Sequence, residues 1–174
     1  MKYFLLFLFV LTTSRAPAQD SLLMARLKPM RGAVAPFSGI AKKDSLFLIC
    51  FWASTSDESM NELNAINANL EKWKAAVPFR MLGISEDEGK MAGRVRGIYN
   101  MNSWTFEVYT DLYGDFRRAL QSNNLPQSMI VFKNKIVYQQ SGWTAGAENY
   151  LFQKLVTIQA VREKREAPDH KKSK

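Results

Sequence analysis

The chain has 174 residues, 47% of them hydrophobic and 23% charged, with a formal net charge of +8. That is enough for one domain with a buried core, and the composition is that of an ordinary globular protein. A single cysteine, Cys50, excludes an intrachain disulfide, and a lone histidine, His170, leaves no His/Cys cluster for a transition metal, so no cofactor is expected.

Residues 1–18 read as a secretory signal peptide. Lys2 supplies the positive start, the run 4–11 (FLLFLFVL) is too short to span a bilayer, and Ala16-Pro17-Ala18 has the small-x-small pattern of a cleavage site ahead of Gln19. No cysteine follows the run to carry a lipoprotein anchor; the alternative is an uncleaved anchor or a buried first helix. Cleavage would place the mature protein in the periplasm or outside the cell, an oxidising compartment, with no transmembrane segment left. Residues 19–45 read as an N-terminal extension. Leu22, Leu23, Met24 and Leu27 suit one helical turn, Pro29, Gly32 and Pro36 break regular structure, and Lys42-Lys43-Asp44 form a turn.

The run 46–53 (LFLICFWA) is apolar without alternation, the pattern of a central strand buried on both faces. Cys50 inside it is expected to be buried and inert. Ser54-Thr55-Ser56 is a turn, and a helix follows over 57–76. Thr55 with Glu58 has capping-box spacing, Ser56 is an equally good N-cap, and Asp57 and Glu58 suit the positive end of the helix dipole. Met60, Leu63, Ile66, Leu70, Trp73 and Val77 form its apolar face, and Pro78 ends it. Residues 79–85 read as a second buried strand closed by the acidic turn Ser85-Glu86-Asp87-Glu88.

A helix over 88–101 presents Met91, Val95 and Ile98/Tyr99 on one face, weakened by Gly89, Gly93 and Gly97. A strand over 104–110, a short helix over 113–121 and a loop at 122–124 follow. Leu125-Pro126 then precedes a buried strand at 129–132, an unusual place for proline. A turn at 133–135 leads into a strand over 136–140, Gly142-Trp143 break the chain, and a helix over 145–161 turns Tyr150/Leu151, Leu155, Ile158 and Val161 inward. Residues 162–174 have a basic excess, contain Pro168 and read as a disordered tail.

The stretch 46–63 resembles the active-site segment of thioredoxin-like proteins, closest to the TlpA/ResA group of exported thiol-disulfide oxidoreductases. Members of that group typically read F-W-A-T-W-C-P-P-C-R-x-E-L. This chain matches Phe51-Trp52-Ala53 at the start and Glu62-Leu63 at the end, and holds Ser56 and Ser59 at the two cysteine positions. The resemblance covers about 46–161, the thioredoxin-like domain. It implies an α/β fold with a central mixed β-sheet flanked by helices on both faces and right-handed βαβ crossovers. It also implies that Leu125–Pro126 is the family's cis-proline, facing Ser56 and Ser59 across a groove. Ala35-Pro36-Phe37 is a contracted form of the A-P-x-F that precedes a small hairpin in the family, so that hairpin is expected to be shortened or missing. Glu86 falls at the family's acid position, where without thiols to serve it is expected to act as a plain turn or helix cap.

Dithiol chemistry needs a thiolate at a helix N-terminus and a second cysteine three residues on. Ser56 and Ser59 supply hydroxyls, which carry no redox chemistry, and no histidine in the folded region could activate Ser56 as a nucleophile. The expected function is therefore a redox-inactive peptide- or protein-binding module, with no catalytic residue. Trp52, Thr55, Ser56, Leu125 and Pro126 would line its groove, and the partner would be an unidentified envelope protein or peptide. Two alternatives stay open: an oxidoreductase using Cys50 or a partner's thiols, and an envelope interaction protein acting through its basic tail. A monomer is expected, with no nucleic-acid partner.

Overall fold

The computed structural model of the protein describes residues 17–42, 44–121 and 124–166. The stretch 1–16 of the expected signal peptide and the end of the expected tail, 167–174, lie outside the described residues. In chain order the elements are α1 (Pro17–Met24), β1 (Arg26–Pro29), β2 (Ala35–Pro36), α2 (Phe37–Ile40), β3 (Leu46–Trp52), α3 (Asp57–Ala76), β4 (Arg80–Ser85), α4 (Ala92–Met101), β5 (Glu107–Thr110), α5 (Asp115–Leu120), β6 (Gln127–Phe132), β7 (Lys135–Ser141) and α6 (Ala147–Glu166). The strands form one mixed sheet in the order β2-β1-β5-β4-β3-β6-β7. β3, β4 and β5 are parallel to one another, and β6 runs antiparallel to both β3 and β7.

β3 is central, as its unbroken apolar run demands: all seven residues are buried. Its side chains alternate between two cores. Leu46, Leu48, Cys50 and Trp52 face Leu63, Ile66, Leu70 and Trp73 of α3, Val95 of α4, and Leu151 and Leu155 of α6. Phe47, Ile49 and Phe51 face Leu22 of α1, Phe37 of α2 and Phe116 of α5. Helices therefore cover both faces of the sheet.

Several boundaries differ from the sequence expectation. The N-terminal hairpin is present in short form: β1 pairs with β2 through Arg26↔Pro36 and Leu27↔Ala35, and its other edge pairs with β5. Leu22, Leu27 and Phe37 are essentially inaccessible, so this segment is part of the second core. α4 starts at Ala92, after Gly89 takes a positive φ of 54°. α6 runs to Glu166, so residues 162–166 are helical where disorder was expected. Lys164 and Arg165 suit the negative end of its dipole, and the Arg162 guanidinium lies 5.6 Å from the Phe132 ring centroid. Tyr150 and Val161, expected inward, are exposed. The inner stripe of α6 is Leu151, Phe152, Leu155 and Ile158, and Tyr150 turns toward Lys154, whose Nζ is 4.8 Å from its ring centroid.

Candidate functional site

The carboxyl end of β3 and the start of α3 place Ser56 and Ser59. Ser56 has extended backbone and caps α3: its Oγ accepts from Ser59 N at 3.1 Å. Asp57 and Glu58 occupy the first turn between the two serines. Ser59 is fully buried, and its Oγ has no hydrogen-bond partner among the described residues.

The loop ahead of this cap is held from β4 by Asp87. Its carboxylate accepts from Ser54 N at 3.0 Å, from Ser54 Oγ at 2.7 Å and from Ser85 Oγ, while Asp87 N donates to Ser85 Oγ at 3.0 Å. Glu86, at the family's acid position, is half-buried. Its N–H donates to Trp52 O at 2.9 Å, and its carboxylate lies 3.7 Å from Arg117. Burial pushes the Glu86 carboxyl above its ordinary range, Arg117 pulls it back, and Asp87, Glu88 and Asp111 add to the rise. Asp111, reached from β5, accepts from Phe116 N at 3.1 Å and Arg117 N at 2.8 Å and so starts α5.

On the other side of β3, register pairs Phe51 with Gln127 and Cys50 with Ser128. The residues just before β6 therefore stand beside the end of β3. The Leu125–Pro126 peptide is cis, and Pro126 O accepts from Gly142 N at 2.7 Å. A cleft of about 410 Å³ opens here, lined by Glu58, Asn124, Leu125, Ser141 and Gly142. It brings Leu125 together with the first turn of α3, but through Glu58; Thr55 and Ser56 are not among its lining residues. Trp52 does not line it either, which corrects the sequence expectation. Even positions of β3 point into the α3–α6 core, and Trp52 is fully buried there, packed edge-on to Trp104 at 5.3 Å. Pro126 is buried and, like Trp52, is not among the residues that line the cleft. A larger cleft of about 760 Å³, lined in part by Arg31, Arg96, Tyr99 and Glu107, lies along the outer edge of β5 and shares no lining residue with this one.

Beneath the serines lies a polar cluster that the sequence reading did not single out. Cys50 Sγ and Ser128 Oγ are 2.9 Å apart, and both residues are buried. Burial pushes the Cys50 thiol well above its ordinary range; Glu62 adds to the rise, and the Ser128 hydroxyl opposes it. Glu62 of α3 is fully buried, and neither carboxylate oxygen has a hydrogen-bond partner among the described residues. Its place within the matching Glu62-Leu63 pair was the only sequence signal available.

Among solved structures, a thioredoxin-like protein of Porphyromonas gingivalis is 30% identical to this chain, with 86% of this chain and 95% of that one covered and a TM-score of 0.71. This chain belongs to the thioredoxin-like family. Two further likenesses concern the fold alone. A candidate thiol:disulfide interchange protein, DsbE, of Chlorobium tepidum matches this thioredoxin-like protein at 22% identity, over 76% of this chain and 90% of that one, with a TM-score of 0.65. StoA of Bacillus subtilis matches at 15% identity, over 74% and 94%, with a TM-score of 0.59. No protein-family model matches the chain, and no curated protein does. With one cysteine in its sequence, this thioredoxin-like protein has no dithiol. Among its described residues no group of acidic, cysteine and histidine side chains is arranged to hold a metal, and no helix is long and apolar enough to cross a membrane.

Proposed function

We propose that this protein is a redox-inactive thioredoxin-like binding module that takes an extended polypeptide segment in the cleft between the start of α3 and Leu125–Pro126. The observation that carries this reading is the cleft itself. It survives with Leu125, Ser141 and Gly142 on one side and Glu58 on the other, although serines stand at both dithiol positions. An apolar side chain set among main-chain and hydroxyl groups suits a peptide held through its backbone. The oxidoreductase alternative built on Cys50 is disfavoured by its complete burial and raised thiol pKa, since only an accessible thiolate attacks a disulfide. The positive, apolar, small-residue order of residues 1–18 supports export and work in the cell envelope.

The test is selection of extended peptides from a displayed library on mature protein, followed by amide mapping of the bound state. The expected result is shifts at Leu125, Ser141 and Gly142, with binding weakened at least tenfold by Leu125→Asp, the loss of a partly buried apolar anchor. Peptides that shift none of these amides would overturn the reading.

A further inference from the structure

The larger cleft, of about 760 Å³, lies where β1 leaves the sheet. The ladder between β1 and β5 ends at Pro29↔Tyr109, and Met30 N makes one further bond, to Val108 O at 3.3 Å. The chain then turns away through Gly32, whose φ of 116° a side chain would strain. Two cations fix that turn: Lys28 Nζ donates to Gly32 O at 2.7 Å, and Arg96 Nη2 donates to Met30 O at 2.6 Å. The Arg96 bond also braces the turn against α4, so two of the segments that line the cleft are held together before any ligand arrives. The third is the run 105–109, which leads into and along β5 and gives the cleft a length of about 13 Å of extended chain.

The charged side chains lining the cleft are Arg31, Arg96 and Glu107. Glu107 is already neutralised. Arg80 donates to its Oε1 from Nε at 3.0 Å and from Nη2 at 2.6 Å, and to its Oε2 from Nη2 at 2.8 Å; Tyr109 OH donates to Oε2 at 2.8 Å. Arg31 and Arg96 are both exposed, and among the described residues neither is in an ion pair. Arg96 spends one N–H on Met30 O, which leaves the rest of its guanidinium to a ligand. Two unpaired arginines in a hollow whose one acid is neutralised focus positive potential there, and a guanidinium held in place suits a carboxylate. We propose that this cleft is a second binding site, which takes an extended acidic segment of polypeptide and holds its carboxylates on Arg31 and Arg96. The site does not rest on the reading of the other cleft, with which it shares no lining residue.

The experiment titrates the full chain with a capped hexaglutamate peptide and follows backbone amides and arginine side chains by NMR. The expected result is saturable shifts at Arg31, Arg96 and Thr105, with Leu125 and Gly142 unmoved. Arg31→Gln and Arg96→Gln should each weaken binding by about tenfold, the loss of a hydrogen bond to a charged group. Arg94 lies on the same helix outside the cleft, so Arg94→Gln removes the same charge and should weaken binding by less than about twofold. Should loss of the Met30 bond unsettle Arg96→Gln, Arg31→Gln stands alone as the test. Equal weakening by all three variants would reduce the effect to net charge and overturn the proposal. No shifts at millimolar peptide, or shifts at Leu125 and Gly142 in place of Arg31 and Thr105, would overturn it too. So would tighter binding of tripolyphosphate than of the peptide at the same amides, which would make this a phosphate site.

Discussion

Ser56 Oγ accepts a hydrogen bond from Ser59 N at 3.1 Å, so the two residues at the family's dithiol positions are joined by a helix cap. A cap holds the first turn in the conformation that a disulfide across these positions would need. Replacing both serines by cysteine should therefore yield a reversible disulfide: two titratable thiols in the folded, reduced protein that disappear on mild oxidation. Asp57 and Glu58 stand between them and oppose a thiolate, so the new pair should attack disulfides slowly, and more quickly once both acids are replaced by proline. Cysteines that never pair in a folded variant would mean that Ser56 and Ser59 are misaligned with the dithiol.

Cys50 should be silent in the native protein. Its thiol is fully buried and bonded to Ser128, and burial holds it protonated. A thiol reagent should label it only after denaturant is added, and the protein should neither reduce insulin nor form disulfides. Rapid native labelling, or turnover lost in Cys50→Ser, would restore the oxidoreductase reading.

Asp87→Ala should destabilise the fold by about 2–3 kcal/mol, because it strands Ser54 N, Ser54 Oγ and Ser85 Oγ around a 7% exposed position. Glu86→Ala should cost under about 1 kcal/mol, since Glu86 holds only a partly exposed ion pair at 3.7 Å. Urea unfolding of the two variants checks the order, and a larger loss at Glu86 would reverse the roles assigned to these acids.

Stability should fall with rising pH through the window set by Glu62. Its folded pKa, about 7, lies above the ordinary 4.5, so the folded state holds the proton more tightly. The resulting stabilisation is complete below about pH 4.5 and is lost as pH rises through about 7, an effect of about 3 kcal/mol in all. Glu62→Gln keeps the shape and removes the titration. Relative to wild type it should therefore gain stability steadily between about pH 5 and about pH 8, as read from urea midpoints. A constant difference between the two proteins across that range would mean that Glu62 does not titrate there.

The amino-acid order by itself determined the elements from β3 onward and the missing chemistry. The apolar run of β3, the stripe and cap of α3 and the breaks at Pro78 and Gly142 act over a few residues, so their consequences can be read along the chain. The missing dithiol is a matter of covalent composition and needs no fold. Tertiary structure alone decided which polar groups matter. Glu62 borders an apolar stripe, and nothing local says whether such a residue meets water or a wall. It is buried because β6 and α6 arrive from more than sixty residues away with Ser128 and Glu148. Asp87 rather than Glu86 became the anchor because alternation along the chain after β4 turns Asp87 toward Ser54, whereas Glu86 lies beside Arg117. Trp52 was expected to line the cleft from the family resemblance, but its even position in β3 turns it into the core. Long-range burial sets the protonation of a carboxyl, and an amino-acid sequence carries that information only through the contacts it makes when folded.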